Sequence, residues 1–129
     1  MRARLRVVID GVPPTVNHVW RVGYRGRVYK TPEAKGFHKA VAWGIRSQMS
    51  KHGIARSYHD LVQGEIVRIR MTWYRPDRRK RDSLNIIKVL EDGISDGLGC
   101  DDSMFEWETH RGYDAKRPRV ELDIATECL

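Results

Sequence analysis

Residues 64–74, GEIVRIRMTWY, decide the architecture. In an extended chain successive side chains alternate faces, so Val67, Ile69, Met71 and Trp73 share one side. Ile66, Arg68, Arg70 and Thr72 share the other. That is a strand with an apolar and a polar face, rich in β-formers, and Pro76 closes it. A basic loop follows. Ile86, Leu90 and Ile94 then recur every fourth residue, so a helix is expected from about Ser83 to Ser95. Two strands follow, at 104–111 and 117–125, the second carrying Val120, Leu122 and Ile124 on one face.

Toward the amino terminus the same reading continues. Leu5, Val7, Val8 and Ile9 form a short β-type run with Arg2, Arg4 and Arg6 alternating at its start. Gly11 and Pro13-Pro14 end it, because proline lacks an amide donor and restrains its predecessor. Residues 19–30, VWRVGYRGRVYK, read as a hairpin around Gly23 and Gly26. Thr31, Pro32 and Glu33 make a helix start: a hydroxyl cap, a proline in the first turn and an acid at the positive end. Phe37, Val41, Ile45 and Met49 mark its apolar face, giving a helix from Pro32 to Lys51 that Gly53 ends. Residues 54–63 are expected to be a loop. The expected fold is α+β: a mixed β-sheet of about five strands with two main helices packed on it, one domain over residues 1–129.

The 24 lysines and arginines exceed the 17 aspartates and glutamates, for a net charge of +7. Such an excess favours a polyanionic partner, although a basic surface is also common in proteins that bind none. No apolar run is long enough to span a bilayer or to form a secretory signal, so neither a membrane partner nor export is expected. Cys100 and Cys128 form no CxxC and no Cys/His cluster, and the five histidines have no HxH or HExxH spacing. A zinc site or disulfide framework is therefore not expected, and reduced cytosolic cysteines are.

The chemistry concentrates in residues 75–102, RPDRRKRDSLNIIKVLEDGISDGLGCDD. Arg78, Arg79, Lys80 and Arg81 form a loop suited to backbone phosphates. Asp82 stands at the helix start, where it also reads as a cap. On the helix, Asn85, Lys88 and Asp92 cluster on one side, away from Ile86, Leu90 and Ile94. Taken singly, Asp92 and Asp96 read as solvated helix residues, Lys88 as a surface lysine, and Asp101-Asp102 as turn formers. Together they pose an electrostatic problem. Acids beside a phosphate-binding loop weaken anion binding unless a cation lies between, and clustered carboxylates holding Mg²⁺ or Mn²⁺ supply one. Such an ion polarises a phosphodiester and activates water, while a lysine stabilises developing charge.

This stretch resembles the RusA-type Holliday junction resolvases, a phage and prophage family of small endodeoxyribonucleases. The family pattern is a basic run, then Asp-x-Asp-Asn-x-x-Lys opening a helix, then an Asp-Asp turn before a strand. Arg81 to Lys88 take the first set and Asp101-Asp102-Ser103 the second. Pro13-Pro14-Thr15-Val16-Asn17 resembles the family's amino-terminal Pro-Pro-Ser-Asn-Asn. The resemblance implies Asp82, Lys88 and Asp102 as catalytic residues and Asp82, Asp101 and Asp102 as Mg²⁺ ligands, with Mn²⁺ as a substitute. It implies DNA contacts from Arg78, Arg79, Lys80, Arg81, Asn85 and Asn17. The implied substrate is branched DNA, a four-way junction, cut by paired hydrolysis during recombination and repair, with no small-molecule cofactor. The implied assembly is a homodimer, whose two identical sites match the two-fold symmetry of the junction.

One position departs from the pattern: Leu84 stands where the family has the second acid, and leucine cannot ligate a metal. Three readings stay open. Asp82, Asp101 and Asp102 suffice; another acid such as Asp92, Glu106 or Glu108 substitutes; or the protein binds junctions with little or no cleavage. A basic RNA-binding or ribonuclease domain is a more remote alternative. Among the aromatics, Trp43 and Trp73 are expected in the core. Trp20, Tyr24 and Tyr29, interleaved with Arg21, Arg25 and Arg27, read either as DNA contacts or, preferably, as a packed hairpin with a basic outer face. Cys100 is expected to be a turn residue and no nucleophile.

Overall fold

The computed structural model describes residues 4–14, 20–52, 65–78 and 84–128. Arg4–Asp10 (β1) is followed by a hairpin of Trp20–Val22 (β2) and Val28–Lys30 (β3). Helix α1, Pro32–Lys51, comes next, then β4, Glu65–Arg75, and helix α2, Leu84–Leu98. Strands β5, Phe105–Tyr113, and β6, Arg119–Cys128, end the chain. Four strands form one sheet in the order β1-β6-β4-β5, and β2-β3 is a separate two-stranded ribbon. The expected sheet of about five strands is therefore, among the described residues, a sheet of four. The hairpin's strands are three residues long and, among the described residues, pair only with each other, Trp20 opposite Lys30 and Val22 opposite Val28.

Strand β6 pairs antiparallel with both β1 and β4, while β4 and β5 run parallel, Val67 opposite Phe105 and Arg75 opposite Tyr113. A parallel pair needs a long crossover, and α2 provides it. The strand periodicities hold. Val67, Ile69, Met71 and Trp73 of β4 are buried, as are Val120, Leu122 and Ile124 of β6 and Leu5, Val7 and Ile9 of β1. Ile86, Leu90 and Ile94 of α2 and Val41, Ile45 and Met49 of α1 meet them in one core. Each fully buried Leu, Ile or Val contributes roughly 1.5–3 kcal/mol.

The two helices lie side by side and parallel. Ala34 clusters with Val89, Val41 lies against Gly93 and Ile45 against Gly97, so their positions rise together. Glycine at 93 and 97 is what permits the approach. A Cβ on Gly93 would stand 2.7 Å from Val41 Cβ, and one on Gly97 2.9 Å from Ile45 Cβ. Helix α1 begins as its sequence requires: Thr31 Oγ1 accepts from the Ala34 amide at 3.3 Å, with Pro32 in the first turn. Trp43 departs from expectation. It is 72% exposed, because it lies two residues from Val41 and Ile45 and so points from the opposite side of α1.

The face of the sheet away from the helices carries an ion-pair lattice. Arg4 binds Asp123 through two hydrogen bonds, 2.9 and 2.6 Å. Arg6 pairs with Glu121, Arg68 with Glu106 and Arg70 with Glu108. Arg119 bridges Asp114 and Glu121, both at 2.8 Å, and lies 3.9 Å over the Tyr74 ring. An open groove of about 400 Å³ on this face is lined by arginines and acids alike. Charge here is balanced, so the surplus positive charge that would attract a polyanion must act elsewhere.

Candidate active site on the polar face of α2

Lys88 and Asp92 are exposed on α2, opposite the buried Ile86, Leu90 and Ile94, as the helical spacing predicts. Asn85 stands in the first turn of the same helix. Asp101 and Asp102 follow its carboxyl end through Gly99, whose φ of +71° makes the turn, and Cys100. Asp101 caps the one-turn segment Asp102–Met104 by accepting from the Ser103 amide at 3.1 Å. That amide, and then the Asp102 side chain, hold the Asp101 carboxyl below the usual carboxylate range. Asp102 is half-buried. Arg78, the one member of the basic run among the described residues, is exposed and stacks 5.1 Å from the Tyr113 ring centre. Arg79, Lys80, Arg81, Asp82 and Asn17 lie outside the described residues.

Glu91 is the residue that sequence reading missed. It is half-buried on α2, and the Trp107 indole of β5 donates to its Oε1 at 3.1 Å. Burial pushes its carboxyl above the usual value. The Trp107 hydrogen bond opposes that rise, the Asp102 charge adds to it and the Lys88 ammonium opposes it. Asp102 and Lys88 are therefore each near enough to Glu91 for their charges to act on its carboxyl. Two signals pointed here. Glu91 is three residues after Lys88, hence on the same helix face, and the period of two in β5 turns Trp107 toward the helices, where its N–H needs an acceptor.

Glu106 and Glu108 do not reach this place. They lie on the opposite face of the sheet, paired with Arg68 and Arg70, because β5 alternates and Trp107 between them faces α2. Asp96 is not a free solvated acid either. It accepts from Arg46 and bonds His38, both at 2.9 Å, tying α2 to α1, and these partners hold its carboxyl below the usual range. Cys100 is buried, and burial with the Asp101 charge pushes its thiol up to about 11. That removes it as a nucleophile at neutral pH.

The donors gathered at this face are carboxylate oxygens, the chemistry a hard divalent cation selects. Among the described residues no three acids, histidines or cysteines converge closely enough to hold a metal. Helix α2 covers about 22 Å at 1.5 Å per residue, and Asp101-Asp102 follow its far end. The face reaches back toward the helix start through Glu91, two turns from that end, and Lys88, nearly one turn further. Carboxylates and a lysine along one helix are equipment suited to a protein that handles phosphodiesters.

Comparison with known proteins makes that class specific. Residues 10–125 match the family described as Endodeoxyribonuclease RusA, and the chain belongs to that family of hydrolases. It is 30% identical over 114 residues to the protein of Escherichia coli strain K12 named Crossover junction endodeoxyribonuclease RusA, covering 87% of each chain. Its namesake from the uropathogenic E. coli strain CFT073 shows the same identity and coverage.

Proposed function

We propose that this protein is a Mg²⁺-dependent, structure-selective endonuclease that resolves four-way DNA junctions as a homodimer. It would act in the bacterial cytoplasm, in recombination and repair, and be encoded by a phage or prophage. The observation that carries the reading is the placing of Glu91 on α2 within reach of the charges of both Lys88 and Asp102, in a chain of this family. Asp82, Asp101 and Asp102 would hold the metal. Glu91 adds a further carboxylate beside Asp102, with its Oε1 engaged by the Trp107 indole. When bound, a divalent ion would supply polarisation of the scissile phosphate and a lowered pKa for the attacking water.

The chain's own residues do the rest. Arg78, Arg79, Lys80 and Arg81 hold the backbone on either side of the cut, with Asn85 and Asn17 adding polar contacts. Lys88 stabilises the charge that develops on the phosphate, at the end of the helix that carries the partial positive charge. Trp107 fixes the Glu91 carboxylate by donating to Oε1, so the acid meets a substrate already oriented. Two copies related by a two-fold axis place two such sites for symmetric nicks.

The test is a synthetic four-way junction incubated with protein and Mg²⁺. Symmetric nicks that ligase reseals are expected, and Asp82→Asn or Lys88→Ala lowers the rate by about 10²-fold or more. No nicking with Mg²⁺ or Mn²⁺ refutes the proposal. A second reading, junction binding without cleavage, rests on Leu84 at the start of α2. A band shift without nicks in either metal selects it.

A further inference from the structure

The functional reading leaves one basic, aromatic element unused. The loop between β2 and β3 places Tyr24 82% exposed, flanked by Val22 and Val28, which are also open to solvent. The packed hairpin preferred from sequence does not hold for Tyr24. The tip is nevertheless well formed. The Gly23 amide donates to Arg27 O at 2.6 Å and the Arg27 amide to Tyr24 O at 3.3 Å. Arg25 (φ 58°, ψ 32°) and Gly26 (φ 73°) are both left-handed, as a tight hairpin turn of this hand requires. Glycine or asparagine would take position 25 without strain, yet arginine stands there. In that conformation its guanidinium lies 5.3 Å from the Tyr24 ring centre.

The charge of this tip differs from that of the sheet. The outer-sheet arginines pair with acids, whereas Gly23 to Val28 contain two arginines and no acid. Tyr24, Arg25, Arg27 and Val28 border an open concavity of about 620 Å³. The foot of the ribbon is anchored: Lys30 Nζ lies 3.4 Å from His38 Nδ1, and His38 bonds Asp96 of α2. Because Ala34 packs on Val89, the ribbon leaves the helix pair at the end that carries Lys88.

We propose that this hairpin tip is a stacking arm that recognises unstacked bases at the branch point of DNA. The inference rests on the junction reading above. In a continuous duplex every base face is covered by its neighbours, so an exposed ring finds nothing to stack on. Where the arms of a junction are opened at the branch point, base faces become available, and Tyr24 covers one while Arg25 and Arg27 hold the adjoining phosphates. Stacking of this kind reads structure and not sequence.

The experiment measures binding in Ca²⁺ to a four-way junction and to a linear duplex of the same sequence, with 2-aminopurine at the branch positions. Tyr24→Ala is expected to weaken junction binding about tenfold, within the usual worth of one stacked base. Duplex binding stays within about twofold, since the phosphate contacts remain. The 2-aminopurine change seen with wild-type protein is lost in Tyr24→Ala and kept in Tyr24→Phe. The melting temperature does not move, because the ring touches little of the protein. Undiminished junction preference in Tyr24→Ala overturns the arm's role alone. Absence of junction preference in the wild-type protein overturns the functional reading, and the arm's role with it.

Discussion

Gly93→Ala tests the helix pairing on which the candidate site depends. Alanine in a helix interior normally gains about 0.5–1 kcal/mol over glycine. Here the added Cβ would stand 2.7 Å from Val41 Cβ, 2.9 Å from its Cγ1 and 3.3 Å from the His38 carbonyl oxygen. Rotamer change cannot relieve the first contact, because a Cβ is fixed to its backbone. The helices must separate by nearly 1 Å, and overpacking of this sort costs about 1–3 kcal/mol. The net expectation is a loss of about 1–2 kcal/mol. Gly36→Ala in α1 is the internal control, since its Cβ would meet nothing within 4 Å. It should gain about 0.5–1 kcal/mol. Urea denaturation followed by circular dichroism measures both. A Gly93→Ala protein as stable as Gly36→Ala would refute the close parallel packing of α1 on α2.

Thr31→Ala removes the side-chain acceptor of the Ala34 amide and should cost about 1 kcal/mol or more in the same urea assay, with Thr31→Ser, which keeps the hydroxyl, costing less than Thr31→Ala. Stability should fall as the pH drops below the ordinary carboxylate range. The Asp96, Asp114, Glu108, Glu121 and Asp123 carboxyls are all held low by their partners, so the stability they add is present above the unfolded values and lost through the folded ones. Denaturation midpoints that stay level from pH 7 to pH 3 would contradict this. Glu91 carries the opposite sign: its raised carboxyl opposes folding when charged, so Glu91→Gln should be more stable than wild type at pH 7 and lose that advantage on acidification. Cys100 should resist alkylation at pH 8 in the native state of a Cys128→Ser protein and react on unfolding, because its buried thiol is held at about 11.

Much of the fold was legible because local signals and burial agree. The cap at Thr31, Pro32 in the first turn and the four-residue recurrence placed α1 at the bounds the structure shows. The period of two identified the buried faces of β1, β4 and β6. Partnership was not legible. Nothing in the alternation of β4 says that it lies between β6 and β5, parallel to one and antiparallel to the other, or that β2-β3 stands apart. Those choices are made by long-range pairing and by the α2 crossover. Trp43 was misplaced by residue type, though its spacing from Val41 and Ile45 already pointed away from the core. At the site, Lys88 and the Asp101-Asp102 turn were legible as a motif. Glu91 was hidden because its role depends on an indole from another element, 16 positions away.

The central claim is that acids far apart in sequence share one cation beside a basic rim. Replacing Mg²⁺ with Fe²⁺, adding ascorbate and peroxide, and mapping the resulting backbone breaks tests it directly. Breaks clustered near both residue 82 and residues 101–102, suppressed by excess Mg²⁺, are the predicted result. Breaks near one cluster alone, or none above background, would contradict it.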